Sequence, residues 1–201
     1  MRKVVLAFLL ILPMLPTASV ALPSTQAMLA ERSLGSPSAK VAIIEYSSLT
    51  CPHCADFHRD VLPRISQEYI DKGLVRYVPR DFPLDGRALA AAMIARCAPP
   101  DRYFAFLDML FRDQQTWARS ANPLDDLKVR AQLAGLSPAE VDACLKNKDL
   151  ADGIQGAAAE AQRRDGIEST PTFFINGNKF SGVASYDKFK SAVDEAIGKA
   201  R

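Results

Sequence analysis

The sequence predicts an α/β fold in which a block of helices interrupts a small mixed sheet. Three segments carry this prediction: a strand–helix–strand unit at 41–78, an Ala-rich helical stretch at 89–164, and a hairpin with a final helix at 172–197. Strands joined by a helix are expected to pair in parallel, with a right-handed crossover. The chain has 201 residues, of which 48% are hydrophobic, and this suits one domain or one domain with a large insertion.

The strand–helix–strand unit begins at residues 41–46, a short apolar run rich in β-branched residues, which is typical of a buried strand. A helix is expected to begin at the cysteine pair, because apolar residues then recur at helical spacing: Phe57, Val61, Leu62, Ile65 and Tyr69. Pro63 should bend this helix, since proline lacks an N–H. Gly73 fits its end, and residues 74–78 predict the second strand.

The middle of the chain is predicted to be helical, with helices at 89–97, from Tyr103, from Asn122 to near Gly135, and at 150–164. Ser137, Pro138 and Glu140 have the spacing of a helix N-terminal cap. An aromatic stripe from Tyr103 to Phe111 also has helical spacing. It could line a cofactor site, but we interpret it as core.

The last part of the chain is predicted to be a hairpin followed by a helix. Residues 172–175 are a strand candidate, and Asn176-Gly177 is a two-residue turn because both residues tolerate positive φ. The return strand begins at Lys179, and an amphipathic helix is expected from Tyr186 to Ile197.

Residues 1–21 have the layout of a secretory signal peptide. Arg2 and Lys3 precede a short apolar run, and small residues stand at Ser19 and Ala21, so cleavage is expected after Ala21. The run is too short to span a bilayer comfortably, which takes about 20 apolar residues; an uncleaved anchor is the alternative. We therefore expect a periplasmic protein without stable membrane insertion.

Loss of Arg2 and Lys3 with this leader would bring the formal charge from +2 to 0. A balanced surface argues against a nucleic-acid partner. The four cysteines form an even set in an exported chain, where disulfides persist. Their uneven spacing indicates two different roles.

Cys51-Pro52-His53-Cys54 follows a predicted strand and opens a predicted helix. Backbone N–H groups at a helix start carry partial positive charge and stabilise a thiolate on Cys51. His53 adds a donor, or a positive charge when it is protonated. The pKa of a cysteine at such a site falls from about 8.5 to about 3.5–7.5. A stabilised thiolate makes the corresponding disulfide a stronger oxidant. Cys54 would be more buried and act as the resolving thiol.

Other interpretations of this motif remain open. The pair could form a structural disulfide, or Cys51, Cys54 and His58 could supply three ligands to zinc, although a second CxxC is missing. Haem attachment needs a histidine directly after the second cysteine, where Ala55 stands. We favour redox chemistry and expect no metal or cofactor. His58 is expected on the exposed surface of the helix.

The sequence Ser169-Thr170-Pro171-Thr172-Phe173 precedes the hairpin, and alone it would suggest an ordinary trans proline at the start of an edge strand. Together with Glu45-Tyr46-Ser47 and Cys51-Pro52-His53-Cys54, it resembles the thioredoxin superfamily and, within it, the DsbA-like periplasmic oxidoreductases. The resemblance implies a thioredoxin fold with an inserted helical domain.

The resemblance also implies roles for single residues. Pro171 would be cis and lie beside the cysteine pair, and the adjacent backbone edge would receive an extended substrate peptide. Glu45 would be a buried acid that helps to move protons at Cys54; a salt bridge at the strand end is the alternative. Thr170 stands where the best-known oxidases carry Val, and Thr is also common in the isomerase branch.

On this basis we divide the chain into a leader at 1–21, a first part of the thioredoxin fold at 22–82, a helical insertion at 83–165 and a second part at 166–201. Cys97 and Cys144 fall in the insertion and are expected to form a structural disulfide, which would be worth about 4 kcal/mol for a loop of that size. Two buried free thiols are the alternative.

The function expected is donation of a disulfide from Cys51 and Cys54 to reduced, unfolded exported proteins. The resemblance implies reoxidation by a DsbB-like membrane quinone reductase. A disulfide isomerase or reductase on the same fold is the main alternative. A metal-binding module that uses the cysteine pair, or an inactive binding module, would be a different class of protein.

Overall fold

A computed structural model describes residues 22–182 and 185–200 of the chain. The predicted leader and its cleavage after Ala21 lie outside the described residues and remain predictions. Four strands form one mixed sheet in the order β2-β1-β3-β4: β1 (Val41–Ser47), β2 (Val75–Asp81), β3 (Thr172–Ile175) and β4 (Asn178–Ser181). β1 pairs in parallel with β2 and antiparallel with β3, and β3 pairs antiparallel with β4.

The central position of β1 determines what lies beneath the cysteine motif. Ile43 is paired with Tyr77 on one side and with Ile175 on the other. Glu45, two residues further on, faces the same side as Ile43, because side chains alternate along a strand. The carboxyl end of β1 then leads through Ser48–Thr50 to Cys51. The predicted mixed sheet is therefore confirmed.

The helix after the motif has an irregular hydrogen-bond pattern. It runs through α2 (Pro52–Asp56), a π-helical turn (Phe57–Val61), α3 (Leu62–Ile65) and a second π-helical turn (Ser66–Ile70). Pro63 lies in the first turn of α3, where a missing N–H is tolerated. Around Pro63 the structure thus shows changes of helical pitch, and the predicted bend remains a prediction.

Six helices lie between β2 and β3: α4 (Gly86–Cys97), α5 (Tyr103–Arg112), α6 (Gln114–Ala118), α7 (Pro123–Leu133), α8 (Pro138–Leu145) and α9 (Lys148–Asp165). Their apolar faces share one core, in which Trp117 is buried and donates its ring N–H to the Leu110 carbonyl at 2.8 Å. The helical insertion is confirmed. The boundaries proposed at 82/83 and 165/166 remain predictions.

The start of α8 and the end of α7 lie where the sequence predicts them. Ser137 and Glu140 form a capping box at the start of α8, with both hydrogen bonds present. Gly135 has a φ of 90° after the end of α7. The stripe from Tyr103 to Phe111 is buried in the core, as expected.

Residues 22–39 contain a short helix and a bridge to the sheet. Ser24 caps a short helix, α1 (Thr25–Leu29), and Met28 is buried in the core of the helical block. Leu34 then exchanges two backbone hydrogen bonds with Tyr77 of β2, at 2.9 and 3.0 Å. A helix of five residues has too few positions to show a periodic pattern, so the sequence did not predict it.

The hairpin and the last helix complete the sheet side of the molecule. Asn176 and Gly177 have φ values of 48° and 85°, and Ile175 pairs with Asn178 across the turn. The final helix, α10 (Tyr186–Lys199), buries Phe189 and Val193 in the core shared with the sheet. Among the helices of the described ranges, none is long and apolar enough to cross a bilayer.

Candidate active site

Cys51 lies where β1 passes into the helix. It is the N-cap residue of α2, with extended backbone angles, and Pro52 occupies the first helical turn. Its carbonyl oxygen accepts from the backbone N–H groups of Cys54 and Ala55, at 3.1 and 3.2 Å. The residue is 7% exposed, whereas Cys54 is fully buried. Both side chains are free thiols in the structure.

The Cys51 thiol is strongly acidic. A hydrogen bond from the Cys54 side chain is the largest cause, and the Thr170 side chain and the backbone N–H groups of Cys54 and His53 add to it. Burial opposes them, but together they lower the pKa of Cys51 from 9.0 to about 5. Cys51 is therefore a thiolate at neutral pH.

Cys54 shows the opposite behaviour. Burial raises its pKa far above the ordinary value, and the hydrogen bond to Cys51 and the negative charge of Glu45 raise it further. One cysteine of the motif therefore holds its proton while the other gives it up. The motif thus contains one thiolate near the surface and one buried thiol beneath it.

The proline loop lies against the Cys51 sulfur. The Thr170–Pro171 peptide bond is cis, and the Cys51 Sγ is 3.3 Å from the Thr170 carbonyl oxygen, to which the thiol would donate. The Pro171 carbonyl accepts from the N–H of Gly182 at 3.0 Å. The fold thus brings together two motifs that are 119 residues apart.

A buried polar cluster lies beneath the motif and consists of Glu45, His58 and Tyr77. The Glu45 carboxyl is fully buried, and its Oε2 lies 3.1 Å from the His58 Nε2. The Tyr77 hydroxyl donates to the same carboxyl oxygen and lies 3.3 Å from the His58 Nε2. Burial and the Glu45 charge hold the pKa of Tyr77 well above its usual range.

The expectation that His58 would be exposed is wrong: its side chain is only 3% exposed. His58 follows Cys54 by four residues, so both lie on the face of the helix that turns toward the sheet. Its ring stacks on Phe111 of α5 with a centroid separation of 3.9 Å. The sequence prediction assigned a polar residue to the surface, but a buried carboxyl partner permits it to lie inside.

His53, in contrast, is exposed. Its side chain is 73% accessible and its Nδ1 lies 3.7 Å from Asp56 Oδ2. Its contribution to the site is its backbone N–H, which helps to lower the pKa of Cys51.

Gln114 is a site residue that the sequence prediction missed. It belongs to α6 of the helical block and is buried, and its Nε2 donates to the carbonyl oxygens of Leu49 and Cys51, both at 2.9 Å. A single glutamine in a five-residue helix carries no motif, so the sequence offered no signal for this role.

The zinc alternative finds no support in this geometry. Over residues 22–182 and 185–200, His, Cys, Asp and Glu side chains form no group of three that could hold a metal ion. His58 bonds to Glu45 instead of completing a ligand set with the two thiols.

Cys97 of α4 and Cys144 of α8 are joined within the helical block, with their sulfur atoms 2.02 Å apart. Both are buried, and the Met28 sulfur lies 3.6 Å from the Cys97 Sγ. This link holds two helices of the insertion together and leaves Cys51 and Cys54 as the two free thiols of the described chain.

The family model and the relatives that match this chain all point to one protein family. A family model described as thioredoxin matches residues 28–195. A protein of Rickettsia conorii, provisionally named a protein-disulfide oxidoreductase, is 34% identical over 82% of this chain and 59% of its own length. A Rickettsia bellii protein of the same provisional name is 30% identical over 84% of this chain and 65% of its own length. The chain thus spans about three-fifths of these curated relatives.

Solved structures agree with this family. The crystal structure of Wolbachia pipientis alpha-DsbA1 matches with a TM-score of 0.79 and 34% identity, over 89% of this chain and 98% of that one. BdbD from Bacillus subtilis, in its oxidised form, shares the fold with a TM-score of 0.76 at 23% identity, over 88% and 96% of the two chains. With a family match over most of its length, the chain belongs to the thioredoxin family, and within it its structure is DsbA-like.

Proposed function

We propose that this protein donates a disulfide from Cys51 and Cys54 to reduced proteins outside the cytoplasm. The observation that carries the proposal is the stabilised Cys51 thiolate, whose pKa is lowered to about 5 at the start of α2. The names of the Rickettsia relatives, which refer to protein-disulfide oxidoreduction, support the same activity.

The reaction would start from the oxidised pair. A client thiolate attacks the Cys51 Sγ, the bond to Cys54 breaks, and the Cys54 sulfur leaves with the electron pair and takes a proton. A second client thiolate then attacks the client sulfur of the mixed disulfide, and Cys51 leaves as a thiolate. The client loses two electrons and two protons; the pair gains two electrons and Cys54 gains one proton, while the other proton goes to solvent.

The direction of transfer follows from the same electrostatics. A thiol of low pKa is the better leaving group, and stabilisation of the reduced form makes the disulfide more oxidising. Because the Cys51 thiolate is stabilised only when the pair is reduced, reduction of the pair is favoured. The protein should therefore give disulfides to clients rather than remove them.

Glu45 and the proline loop would support this chemistry. The buried Glu45 carboxyl raises the pKa of Cys54, and we assign it the transfer of the Cys54 proton. The Thr170 carbonyl lies at the Cys51 sulfur, and the Thr170–Pro171 backbone directly precedes β3. An extended client segment could pair with this backbone edge while its cysteine meets Cys51.

The site of action and the electron acceptor complete the proposal. The leader predicted at residues 1–21 would deliver the protein to the periplasm. Each turnover leaves Cys51 and Cys54 reduced by two electrons, so an oxidant must restore their disulfide. We assign this role to a DsbB-like membrane quinone reductase.

The experiment is an equilibrium of the Cys51–Cys54 pair with glutathione buffers of graded potential, read by thiol trapping. The pair should stay reduced until the buffer is strongly oxidising, and the oxidised protein should restore activity to a reduced disulfide-containing client. Cys51→Ser should abolish client oxidation. The control is Gln115→Ala, a substitution at an exposed residue, which should leave client oxidation unchanged. A pair that stays oxidised in reducing buffers would instead indicate a reductase, and full client oxidation by Cys51→Ser would refute the mechanism.

A further inference from the structure

The Cys54 thiol is not exposed to water in the described part of the chain. Cys54 and Glu45 are both fully buried, and the resolving step cannot occur unless this thiol gains or loses its proton. The Glu45 carboxyl can accept that proton, but it must then exchange it with solvent before the next turnover. The contacts that Glu45 makes with His58 and Tyr77 therefore decide how fast the site can reset.

Two buried side chains contact the Glu45 carboxyl. His58 is bonded to Glu45 through its Nε2 at 3.1 Å, and Tyr77 contacts both residues with its hydroxyl. The His58 ring is held flat against Phe111, with an angle of 23° between the ring planes. A neutral imidazole can accept a proton on one nitrogen and release one from the other, so a ring held in this position can pass a proton.

His58 and Tyr77 also line a cavity of about 240 Å³. Leu34, Leu62, Ser66 and Leu107 form part of its wall, and Asp108 and Arg112 stand at its edge. The Asp108 and Arg112 side chains are 44% and 59% exposed and are ion-paired at 2.8 Å, so the cavity reaches the surface. It has room for several water molecules, since one water occupies about 30 Å³ of liquid volume.

We propose that His58, supported by Tyr77, carries the Cys54 proton between Glu45 and water in this cavity. The proposal rests on the proposed disulfide exchange at Cys51 and Cys54 and adds a route for its proton. When Cys54 attacks a mixed disulfide on Cys51, its proton passes to Glu45, from Glu45 to the His58 Nε2, and from the ring to cavity water. The leaving thiolate takes the electron pair, and no further reactant is required.

The groups that face His58 define its electrostatic environment. Glu45 contacts it from β1 and Tyr77 from β2, while Asp108 and Arg112 are the charged groups of α5 at the cavity. Cys54 precedes His58 by four residues in the chain. The charge of an ionised Tyr103 would raise the pKa of Tyr77 by repulsion. His58 does not touch the reacting sulfur atoms, so it is a positioning residue that acts through Glu45.

The test follows the reduced protein as it reacts with oxidised glutathione, with samples quenched in acid. The first step is attack by Cys51, and the second is attack by Cys54 on the glutathione mixed disulfide. His58→Asn keeps a polar group beside Glu45 but cannot relay a proton. It should slow the second step about tenfold, below the 10²–10⁴-fold that a direct acid–base group contributes, and leave the first step unchanged.

Matched variants distinguish the loss of proton transfer from a structural effect of the substitution. Ser66→Ala lies in the same cavity wall and should change neither step. His58→Ala should be slow in the second step and should recover when imidazole is added, because the enlarged cavity admits it. Equal second-step rates in the parent, His58→Asn and His58→Ala would overturn the proposal, as would a slow His58→Ala that imidazole fails to rescue.

A measurement on the parent protein covers the case in which His58 variants do not fold. The rate of the second step, measured in mixtures of light and heavy water, should depend nonlinearly on the fraction of heavy water. Such a curve indicates that more than one proton moves in the step. A linear dependence would contradict the relay. If only the proposed relay is wrong, the first step and the oxidising potential should be intact. If the proposed function is wrong, client oxidation should not depend on Cys51.

Discussion

The side-chain amide of Gln114 is hydrogen-bonded to the carbonyl oxygen of Cys51 at 2.9 Å. Gln114 belongs to the helical block, and Cys51 belongs to the sheet part of the fold. The same Nε2 also bonds the Leu49 carbonyl at 2.9 Å, so one side chain fixes both ends of the turn that precedes the helix. The insertion therefore does more than cover the site, because it holds the backbone that presents the reactive sulfur.

Gln114→Glu should destabilise the protein and raise the pKa of Cys51. A carboxylate cannot donate to the two carbonyls, which would lose a buried partner at a cost of about 1–3 kcal/mol, and its negative charge would oppose the nearby thiolate. Urea unfolding and thiolate absorbance would measure both effects. The control is Gln115→Glu, which adds the same charge at an exposed neighbour; equal stability of the two variants would contradict the role of Gln114.

The reduced protein should gain stability from Cys51 as the pH rises above about 5, the pKa of the folded thiol. Below that pH the residue is a thiol in both folded and unfolded chains. Above it the folded chain holds a thiolate, while the unfolded thiol keeps its proton up to about pH 8.5. The stabilisation is therefore lost as the pH falls through about 5. Cys54 acts in the opposite direction only above its ordinary pKa, outside this window.

Unfolding of the reduced parent and of reduced Cys51→Ala at a series of pH values would isolate this contribution. The difference in stability should grow with pH, with a slope no steeper than about 1.4 kcal/mol per pH unit for one proton. A constant difference between about pH 4 and about pH 8 would show that the thiolate is not stabilised by folding.

Removal of the link between Cys97 and Cys144 should lower stability without changing the redox site. The two residues are 47 positions apart, and opening a loop of that size costs about 4 kcal/mol in the chain-entropy model. The double variant Cys97→Ala and Cys144→Ala would be compared with the parent by thermal unfolding. Thiolate absorbance of Cys51 provides the control and should be unchanged; a shift in its titration would mean that the block and the site are coupled through this link.

Thr170→Val should raise the pKa of Cys51 and make the disulfide less oxidising. The Thr170 side chain helps to lower that pKa, and Val has the same shape without the hydroxyl. The shift should be seen in the thiolate titration and in the glutathione equilibrium together. Thr172→Val is the matched control, because its hydroxyl bonds to the Ser169 carbonyl at 2.7 Å instead. Identical titrations for the parent and Thr170→Val would exclude the hydroxyl as a cause.

Several parts of the fold follow from short stretches of sequence. The capping box of Ser137 and Glu140, the end of α7 at Gly135, and the turn at Asn176-Gly177 were all predicted. Each depends on hydrogen bonds or dihedral angles within four residues, which the sequence itself specifies. The position of Cys51 at a helix start is of the same kind, and with it the expectation of an acidic thiol.

Other parts depend on partners that are distant in the chain. His58 was expected at the surface, but Glu45, 13 residues earlier, and Tyr77, 19 residues later, give it a buried polar site. Gln114 meets Cys51 only because the helical block folds back on the turn before α2. Local sequence patterns are enough to predict the strand–helix–strand unit, the hairpin and the reactive cysteine motif. Which polar side chains are buried around that motif depends on the folded chain, because burial of a polar group requires a partner, and these partners come together through packing.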